Sequence, residues 1–265
     1  MKSLLKDKWV LITGASSGFG AAAARAFGVE GARLLLGARR VERLEQVAAE
    51  ARKAGAPEAH GHALDVSKTS NVETFVTWAL GKVRNPKSEI GNLHVLINNA
   101  GGALGLDTVA EGQDEDWETM MQTNVLGVLR MTRAALSLMP RDAGASIINI
   151  GSVAGHTAYE GGAVYCAAKA AERKITEALR LELNGTGIRV GTIDPGMAET
   201  EFSLVRFKGD AARASKVYQG TQPLTAEDVA EAMVWVASRP SHVNIDDMVI
   251  KCVDQAAIHK VYRRK

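Results

Sequence analysis

A tyrosine and a lysine in the second half of the chain have a spacing that could support proton transfer. Tyr165 lies four residues before Lys169 and thirteen residues after Ser152. Positions i and i+4 of a helix lie one above the other, so the lysine ammonium can reach the phenol. A free phenol ionises near pH ~10, and a nearby cation favours the phenolate. Such a pair can exchange protons near neutral pH. The spacing is common by chance, so its meaning depends on the surrounding elements.

The elements around this pair alternate between strands and helices. Apolar runs of strand length are separated by segments with helical periodicity. The predicted strands cover residues 9–13, 33–38, 59–64, 95–98, 146–150, 189–193 and 248–251. The predicted helices cover residues 19–30, 41–54, 71–83, 114–138, 163–183 and 225–237. Ser70 and Glu73 fit a capping box for the third helix, and Thr225 and Asp228 open the last one.

This alternation predicts an α/β protein with a doubly wound, parallel, seven-stranded sheet, which is a Rossmann fold. Most of the strands are continuous apolar runs, which indicates that helices cover both faces of the sheet. A chain of 265 residues with 46% hydrophobic residues can bury a large core, and we find no linker or internal repeat. The sequence therefore predicts a single domain over residues 1–265.

Composition and charge favour a small-molecule enzyme over a nucleic-acid or membrane protein. The net charge is only +2, so no global field attracts polyanions. Residues 1–8 lead directly into a strand and the apolar runs are short, so we expect no targeting segment and no membrane span. Cys166 and Cys252 lack metal-ligand spacing and fit a reduced, cytoplasmic compartment, so we predict no metal site. The basic residues at 260–265 form either a solvated tail or a subunit contact, with a polyanion site as the alternative.

A glycine-rich turn follows the first predicted strand. Gly14, Gly18 and Gly20 lie in the run Thr13-Gly14-Ala15-Ser16-Ser17-Gly18-Phe19-Gly20, which opens the first helix. Glycines allow a sharp turn and the close approach of a pyrophosphate, and the helix N-terminus supplies amide donors. The spacing is Gly-x-x-x-Gly-x-Gly rather than the usual Gly-x-Gly-x-x-Gly. We predict a nucleotide site here, with a plain tight strand–helix connection as the alternative.

The end of the second predicted strand indicates which dinucleotide binds. An NAD site usually has an acid here, which binds the ribose 2′-hydroxyl. Ala38 occupies this position, and Arg39 and Arg40 follow it. Guanidinium groups suit a 2′-phosphate, so the sequence favours NADP(H) over NAD(H). The alternative is that both arginines begin a solvated helix, with Glu42 as their partner.

Six motifs occur in a fixed order along nearly the whole chain. They are Thr13-Gly14-x-x-x-Gly18-x-Gly20, Asn98-Asn99-Ala100-Gly101, Asn124, Ser152, Tyr165-x-x-x-Lys169 and Pro195-Gly196. This set resembles the short-chain dehydrogenase/reductase family. Stretches at residues 116–120, 202–210 and 235–245 are similar to the NADP-dependent 3-hydroxy acid dehydrogenases, which oxidise serine, allo-threonine and related β-hydroxy acids. One departure is His94, where the family often has an acid, and the loop before it, at residues 84–89, also looks extended.

The resemblance implies hydride transfer between NADP(H) and a carbon that bears a hydroxyl or carbonyl group. Tyr165 would exchange the proton of that group, while Lys169 would favour the phenolate and hold the nicotinamide ribose. Ser152 would hydrogen-bond the substrate oxygen. Asn124 would hold a water that links Lys169 to solvent. Taken alone, Ser152 could be part of a strand-end turn and Asn124 could be a surface asparagine.

The same resemblance implies contacts to each part of the cofactor. The pyrophosphate turn would be lined by Gly14, Ser16, Ser17, Gly18, Phe19 and Gly20. On the adenosine side, Arg39 and Arg40 would bind the 2′-phosphate, and Asp65 and Val66 would contact the adenine. Asn98, Ala100 and Gly101 would lie beneath the cofactor, and Thr200 would contact the phosphates. On the nicotinamide side, Tyr165 and Lys169 would contact the ribose, and Pro195, Gly196 and Met197 would contact the carboxamide. Asp65 could otherwise be a plain helix-entry acid.

The substrate is less well determined by the sequence. A hydroxy acid requires a nearby cation, and Arg206 lies in a predicted mobile lid over residues 198–222. We expect Arg206 to contact the substrate anion, with Ser152 and Tyr159 beside it, although a solvated lid arginine is the alternative. His156 and Tyr159 could form a wall of the pocket, or both could be packing residues. Other possible functions are a reductase of other aldehydes or ketones, such as sulfoacetaldehyde-like or 3-oxoacyl substrates, and a non-catalytic NADP-binding sensor.

The two longest predicted helices, at residues 114–138 and 163–183, carry apolar residues on more than one face. This pattern predicts burial against a partner subunit as well as against the sheet. In the family these helices build a tetramer, so we expect a homotetramer.

Overall fold

The computed structural model describes residues 4–83, 92–141 and 143–264. Its main sheet consists of β1 (Trp9–Thr13), β2 (Arg33–Ala38), β3 (Ala59–Ala63), β4 (Leu93–Asn98), β5 (Ser146–Ile150), β6 (Arg189–Pro195) and β7 (Asp247–Ile250). All the pairings are parallel, and the order is β3-β2-β1-β4-β5-β6-β7. The chain reverses direction across the sheet between β1 and β4, which opens a crevice at the carboxyl ends of these strands. The predicted parallel, seven-stranded sheet is confirmed.

Helices connect these strands and form two layers. They are α1 (Gly18–Val29), α2 (Val41–Ala54), α3 (Thr69–Val83), α4 (Asp114–Met121), α5 (Gly127–Ala135), α6 (Ala163–Glu182), α7 (Glu201–Arg206), α8 (Ala211–Lys216) and α9 (Ala226–Ala237). Helices α1, α2 and α9 cover one face of the sheet, and α3, α5 and α6 cover the other. Among the helices in the described ranges, none has the length and apolar character needed to cross a bilayer.

The side chains of β2 show why the sheet needs both layers. Leu34 and Leu36 belong to the core under α1, α2 and α9, whereas Leu35 belongs to the core under α3, α5 and α6. All three leucines are fully buried. Successive side chains of a strand point to opposite faces, so a continuous apolar strand is buried only between two layers. The doubly wound architecture predicted from these runs is confirmed.

The helix predicted at residues 114–138 is interrupted near its middle. A π-helical turn (Gln122–Leu126) joins α4 to α5, and a 3-10 turn (Leu136–Leu138) ends the run. A π turn accommodates an extra residue within a helix and often occurs at functional sites. This turn contains Asn124, one of the predicted catalytic residues.

The predicted starts of the third and last helices have different outcomes. At the start of α9, Thr225 Oγ1 accepts from the N–H of Asp228 at 3.2 Å, and Asp228 Oδ2 accepts from the N–H of Thr225 at 2.8 Å. The predicted start of this helix is confirmed, and the two residues form a full capping box. The box at Ser70 and Glu73 is wrong, because α3 already begins at Thr69 and Ser70 lies inside the helix.

The C-terminal segment folds back onto the protein. It follows a short antiparallel pair, β8 (Gln255–Ala257) and β9 (Lys260–Val261), which was not predicted. Arg264 forms an ion pair of 2.9 Å with Asp254, and its backbone N–H donates to the carbonyl of Gly220 at 2.6 Å. Arg264 is therefore exposed but not part of a free tail, because it ties the segment to the end of the predicted lid. The loop at residues 84–89 lies outside the described residues.

Candidate active site

The glycine-rich turn lies between β1 and α1, at the crevice of the sheet. Gly14 has a φ of +66°, and a Cβ on it would lie 2.9 Å from Cα of Ala100. Thr13 Oγ1 accepts hydrogen bonds from the backbone N–H groups of Asn99 and Ala100 at 3.0 and 2.9 Å. Only glycine fits both this φ and this close approach to the segment after β4.

Arg40 lies across this turn. Its guanidinium donates to the hydroxyl groups of Ser16 at 3.3 Å and Ser17 at 2.6 Å, and it forms an ion pair of 2.9 Å with Glu201 of α7. Although burial opposes the effect, hydrogen bonds from Arg43 and Arg40 lower the pKa of Glu201. The crevice therefore has a cationic edge beside the turn, which is linked to α7 by an ionised glutamate.

Lys169 is held from two sides behind Tyr165. Both residues are buried on α6. Nζ of Lys169 donates to the carbonyl oxygen of Ile150 and to the carboxylate of Glu172, at 2.7 Å in each case. Burial by itself would lower the pKa of Lys169, but the charge of Glu172, with a smaller effect of Tyr165, raises it above its usual value. The lysine is therefore a cation at neutral pH, close enough to act on Tyr165.

Ser152 follows the end of β5, the strand whose last carbonyl binds Lys169. It caps a 3-10 turn (Val153–Gly155), because its Oγ accepts from the N–H of Ala154 at 3.1 Å. It stands two residues after Ile150, whose carbonyl binds Lys169. The end of β5 thus carries both the hydroxyl group and the carbonyl anchor of the lysine.

Asn124 is buried in the π turn and binds the segment that follows β4. Its Oδ1 accepts from the N–H of Gly102 at 3.1 Å, and its Nδ2 donates to the carbonyls of Gly102 at 2.9 Å and Met120 at 2.8 Å. A Cβ on Gly101 would lie 2.5 Å from Asn124 Oδ1 and 3.7 Å from Lys169 Nζ. Asn124 and Lys169 therefore meet around Gly101. The bridging water predicted at Asn124 stays a prediction.

A cavity beside Tyr165 is lined in part by Arg206. Nη1 of Arg206 donates to the hydroxyl group of Tyr159 and its Nε to the carbonyl of Gly105, both at 2.9 Å. Its guanidinium carbon lies 5.8 Å from the centre of the Tyr165 ring. Burial raises the pKa of Tyr159 to about 12, although Arg206 opposes this shift. The Tyr159 phenol is therefore neutral, and within the described ranges no carboxylate pairs with Arg206.

A second side chain of α7 also lies against Tyr165. The ring of Phe202 packs on the Tyr165 ring, with 5.7 Å between the two centres. Phe202 and Arg206 stand four residues apart, so they share one face of the helix. Helix α7 thus covers Tyr165 with one aromatic ring and one guanidinium group.

Residues 8–210 match the short chain dehydrogenase family. The chain belongs to this family. It is 40% identical to the NADP-dependent 3-hydroxy acid dehydrogenase of Schizosaccharomyces pombe, over 99% of each chain. It is 44% identical to sulfoacetaldehyde reductase 2 of Chromohalobacter salexigens, over 93% of this chain and 95% of that one. The solved closed form of a serine dehydrogenase complexed with NADP+ is 41% identical and has a TM-score of 0.85, over 97% of this chain and 100% of that chain.

In this short chain dehydrogenase, the residues predicted at the adenine lie directly after β3. Asp65 Oδ1 accepts from the backbone N–H of Ser67 at 3.0 Å and from its hydroxyl at 2.7 Å. Burial opposes the shift, but these bonds and the charge of Arg39 lower the pKa of Asp65. Val66 is buried against Gly127. Asp65 therefore acts as the acid of the turn before α3, and its adenine contact stays a prediction.

Asn98 uses its side chain inside the dehydrogenase core. Its Nδ2 donates to Thr132 Oγ1 at 2.9 Å and to Asn149 Oδ1 at 2.8 Å. These partners join the ends of β4 and β5 to α5. Because the side chain is used in the core, only the backbone of Asn98 is available for the predicted contact beneath the cofactor.

The segment after β6 lies close to the glycine turn. Thr200 Cβ would be 3.6 Å from a Cβ on Gly18, so the two predicted phosphate-binding segments face each other. The N–H of Met197 donates to Gln255 Oε1 at 2.7 Å, and a Cβ on Gly196 would clash with the same amide. Gln255 was not predicted from the sequence, because no local pattern links it to residues almost sixty positions earlier.

A polar cluster, not predicted as a group, joins the turn after β5 to β6 and β7. His156 Nε2 forms a hydrogen bond with Asp194 and lies 4.0 Å from Asp247 Oδ1. Asp194 also accepts from the hydroxyl of Thr192 at 2.6 Å, and Asp247 accepts from Arg173 at 3.0 Å. Three of these side chains could bind a cation, but their polar atoms have protein partners. His156 therefore supports β6 and does not line the cavity beside Tyr165.

Proposed function

We propose that this dehydrogenase is an NADP-dependent oxidoreductase that interconverts a small 3-hydroxy acid and its 3-oxo acid or aldehyde. Serine, allo-threonine and 3-hydroxypropionate are the substrate types. The position of Arg206 carries the proposal, because its guanidinium lies 5.8 Å from the Tyr165 ring without a carboxylate partner in the described ranges. A substrate carboxylate would supply that partner. Relatives named 3-hydroxy acid dehydrogenase and serine dehydrogenase support the same substrate class.

The residues around Tyr165 fit the proton transfer that this reaction needs. NADP(H), when bound, accepts or supplies the hydride. In oxidation the Tyr165 phenolate takes the proton of the substrate hydroxyl, and in reduction the phenol returns it to the new alkoxide oxygen. Ser152 donates a hydrogen bond to the same oxygen. The cation of Lys169 favours the phenolate, and Asn124 fixes the segment that passes beside the lysine.

The glycine-rich turn fits a phosphorylated dinucleotide. It has no space for a Cβ at Gly14 or Gly20, so the turn packs tightly against the segment after β4. The N-cap residue Ser17 makes no side-chain capping bond, which leaves the first N–H groups of α1 free for a pyrophosphate. We assign the 2′-phosphate to Arg39 and Arg40. The other cofactor contacts are proposed as the sequence predicts them.

Cofactor preference should depend on the two arginines that follow β2. We expect Arg39→Ala and Arg40→Ala each to reduce the ratio of kcat/KM for NADP to that for NAD by about 10- to 100-fold, because each removes a charged hydrogen bond to the 2′-phosphate. Initial rates with both cofactors at a fixed substrate concentration measure this ratio. Lys53→Ala, at the exposed far end of α2, is the control. An unchanged ratio in both arginine variants would refute the 2′-phosphate assignment.

We propose that residues 198–222 form a lid over the substrate. The lid contains α7, whose Phe202 and Arg206 contact Tyr165 and whose Glu201 pairs with Arg40. Its far end is tied to the C-terminal segment by the bond from Arg264 to Gly220. The related serine dehydrogenase complexed with NADP+ is described as a closed form, which supports a movement of this kind.

We also propose that the protein is a cytoplasmic homotetramer. Met121, Leu126 and Leu129 are exposed along α4, the π turn and α5, where a partner subunit would cover them. The two cysteines are both free and buried, which fits a reducing compartment. We propose that residues 1–265 form a single domain. Its proposed ligand is a small-molecule substrate, and we propose neither a nucleic acid nor a membrane as a partner.

A substrate panel tests the proposed activity. We expect NADPH to form with serine, allo-threonine or 3-hydroxypropionate at a kcat/KM at least tenfold above that for neutral alcohols of similar size. Turnover of neutral alcohols or ketones alone would refute the hydroxy acid assignment. Reduction of sulfoacetaldehyde while all hydroxy acids stay inert would favour the second candidate, which the relative from Chromohalobacter salexigens supports. NADPH binding without any turnover would indicate a sensor.

A further inference from the structure

A buried acid lies directly behind the lysine of the proposed site. Glu172 is 2% exposed and stands one helical turn after Lys169. Its carboxylate accepts a hydrogen bond of 2.7 Å from Lys169 Nζ, and in the described part of the chain it has no other hydrogen-bond or ion-pair partner. Glutamates are rarely buried unless they are paired, because desolvation disfavours the charge. The buried carboxylate therefore depends on Lys169 to offset the cost of its charge, and the lysine in turn is held by this carboxylate.

Glu172 helps to fix the direction of the lysine head group. An ammonium has three N–H donors. One donates to the carbonyl of Ile150 and one to Glu172, each at 2.7 Å. On the crevice side, a Cβ on Gly101 would lie only 3.7 Å from Nζ. With two N–H groups bound to Ile150 and Glu172, the third N–H of Lys169 points toward the crevice. There it could donate to Tyr165 or to a bound ribose.

Glu172 also affects the net charge around the ammonium of Lys169. The groups that act on its carboxylate are Lys169 on the same helix and Asp194 on β6, and behind Asp194 lie His156 and Asp247. Burial raises the pKa of Glu172 to about 7, because the charge of Lys169 offsets the desolvation only in part and Asp194 repels it. Glu172 therefore changes its charge in the neutral range, where Lys169 stays a cation.

We propose that Glu172 is a positioning residue that orients the ammonium of Lys169 and, through its own charge, sets the pH range in which Tyr165 exchanges its proton. This inference rests on the proposed oxidoreductase function and extends it. Ionised Glu172 neutralises Lys169, so the phenolate is less favoured. Protonated Glu172 leaves the full lysine charge to act on Tyr165. An opposite charge within about 4–6 Å displaces a titration by about one to three pH units, and Glu172 acts from behind Lys169, so we expect a displacement at the lower end of this range.

Two substitutions separate the hydrogen bond from the charge. Glu172→Gln keeps an oxygen that accepts from Lys169 but has no charge, and Glu172→Val has neither. We expect the rise of kcat/KM with pH, in the oxidation direction, to move about one pH unit lower in both variants. Glu172→Val should also lose about tenfold in kcat, because Lys169 is no longer held, whereas Glu172→Gln keeps kcat. Glu177→Gln, an exposed acid on α6 that pairs with Lys174 at 2.6 Å, should match the wild type.

Tyrosinate absorbance gives a second measurement that needs no substrate. The part of the signal that is lost in Tyr165→Phe reports the titration of Tyr165 in the NADPH complex, and Glu172→Gln should lower its midpoint by about one pH unit. Rate profiles and midpoints that coincide with those of the wild type would overturn the inference, as would equal kcat values for the Gln and Val variants. Failure of every hydroxy acid in the panel would refute only the proposed substrate, because the tyrosinate midpoint still tests Glu172.

Discussion

Replacing Tyr165 with phenylalanine should lower kcat by about 10²- to 10⁴-fold in both directions of the reaction, while NADPH still binds. The substitution removes only the hydroxyl group, and the packing of the ring against Phe202, with 5.7 Å between the ring centres, is retained. Without the phenol, the substrate oxygen has neither a proton acceptor in oxidation nor a donor in reduction. Initial rates at saturating cofactor and fluorescence titration with NADPH measure the two effects separately.

Tyr262→Phe is a matched control for this experiment. Tyr262 is 67% exposed near the C-terminus, so its hydroxyl group should not affect the rate. A Tyr165→Phe enzyme that retains wild-type rates would show that another group exchanges the proton. Parallel loss of activity and NADPH binding would also count against the assignment, because a disturbed fold would then explain both.

The parts of the fold that were predicted well depend on local patterns. The bounds of β1, β2, β5 and α2 are those predicted, because continuous apolar strands and amphipathic helices carry their own signal. The glycine turn was recognisable for the same reason, since the φ of +66° at Gly14 and its contact with Ala100 both require a glycine. Helix ends were less certain, as the early start of α3 at Thr69 shows, because several polar residues nearby could begin a helix.

The parts that were missed depend on tertiary contacts. The π turn that carries Asn124 has no local signature, and it is stabilised by bonds from Asn124 to Gly102, which lies beyond the end of another strand. The spacing of Glu172 three residues after Lys169 is visible in the sequence and suggests an ordinary surface pair. Only the packing of α6 shows that both groups are buried, which turns this pair into a functional candidate.

Arg206→Met should raise KM for acidic substrates by about 10- to 100-fold and leave neutral alcohols of similar size almost unaffected. Methionine keeps an apolar side chain of similar length, so contacts with the cavity wall are largely retained. The substitution removes the guanidinium that lies 5.8 Å from the Tyr165 ring. Rates with 3-hydroxypropionate and with a neutral alcohol of the same chain length measure the difference.

Arg213→Met provides the matched control, because this lid arginine stacks on Phe207 at 4.5 Å and does not line the cavity beside Tyr165. Equal losses for acidic and neutral substrates in Arg206→Met would mean that the arginine only stabilises the lid. A loss confined to acidic substrates would follow from the unneutralised charge of Arg206. The side-chain partner of Arg206 is Tyr159, whose largely buried phenol has its pKa raised to about 12 and cannot neutralise the guanidinium. The positive charge beside Tyr165 is therefore available to a substrate anion, and its removal should affect only ligands that carry one.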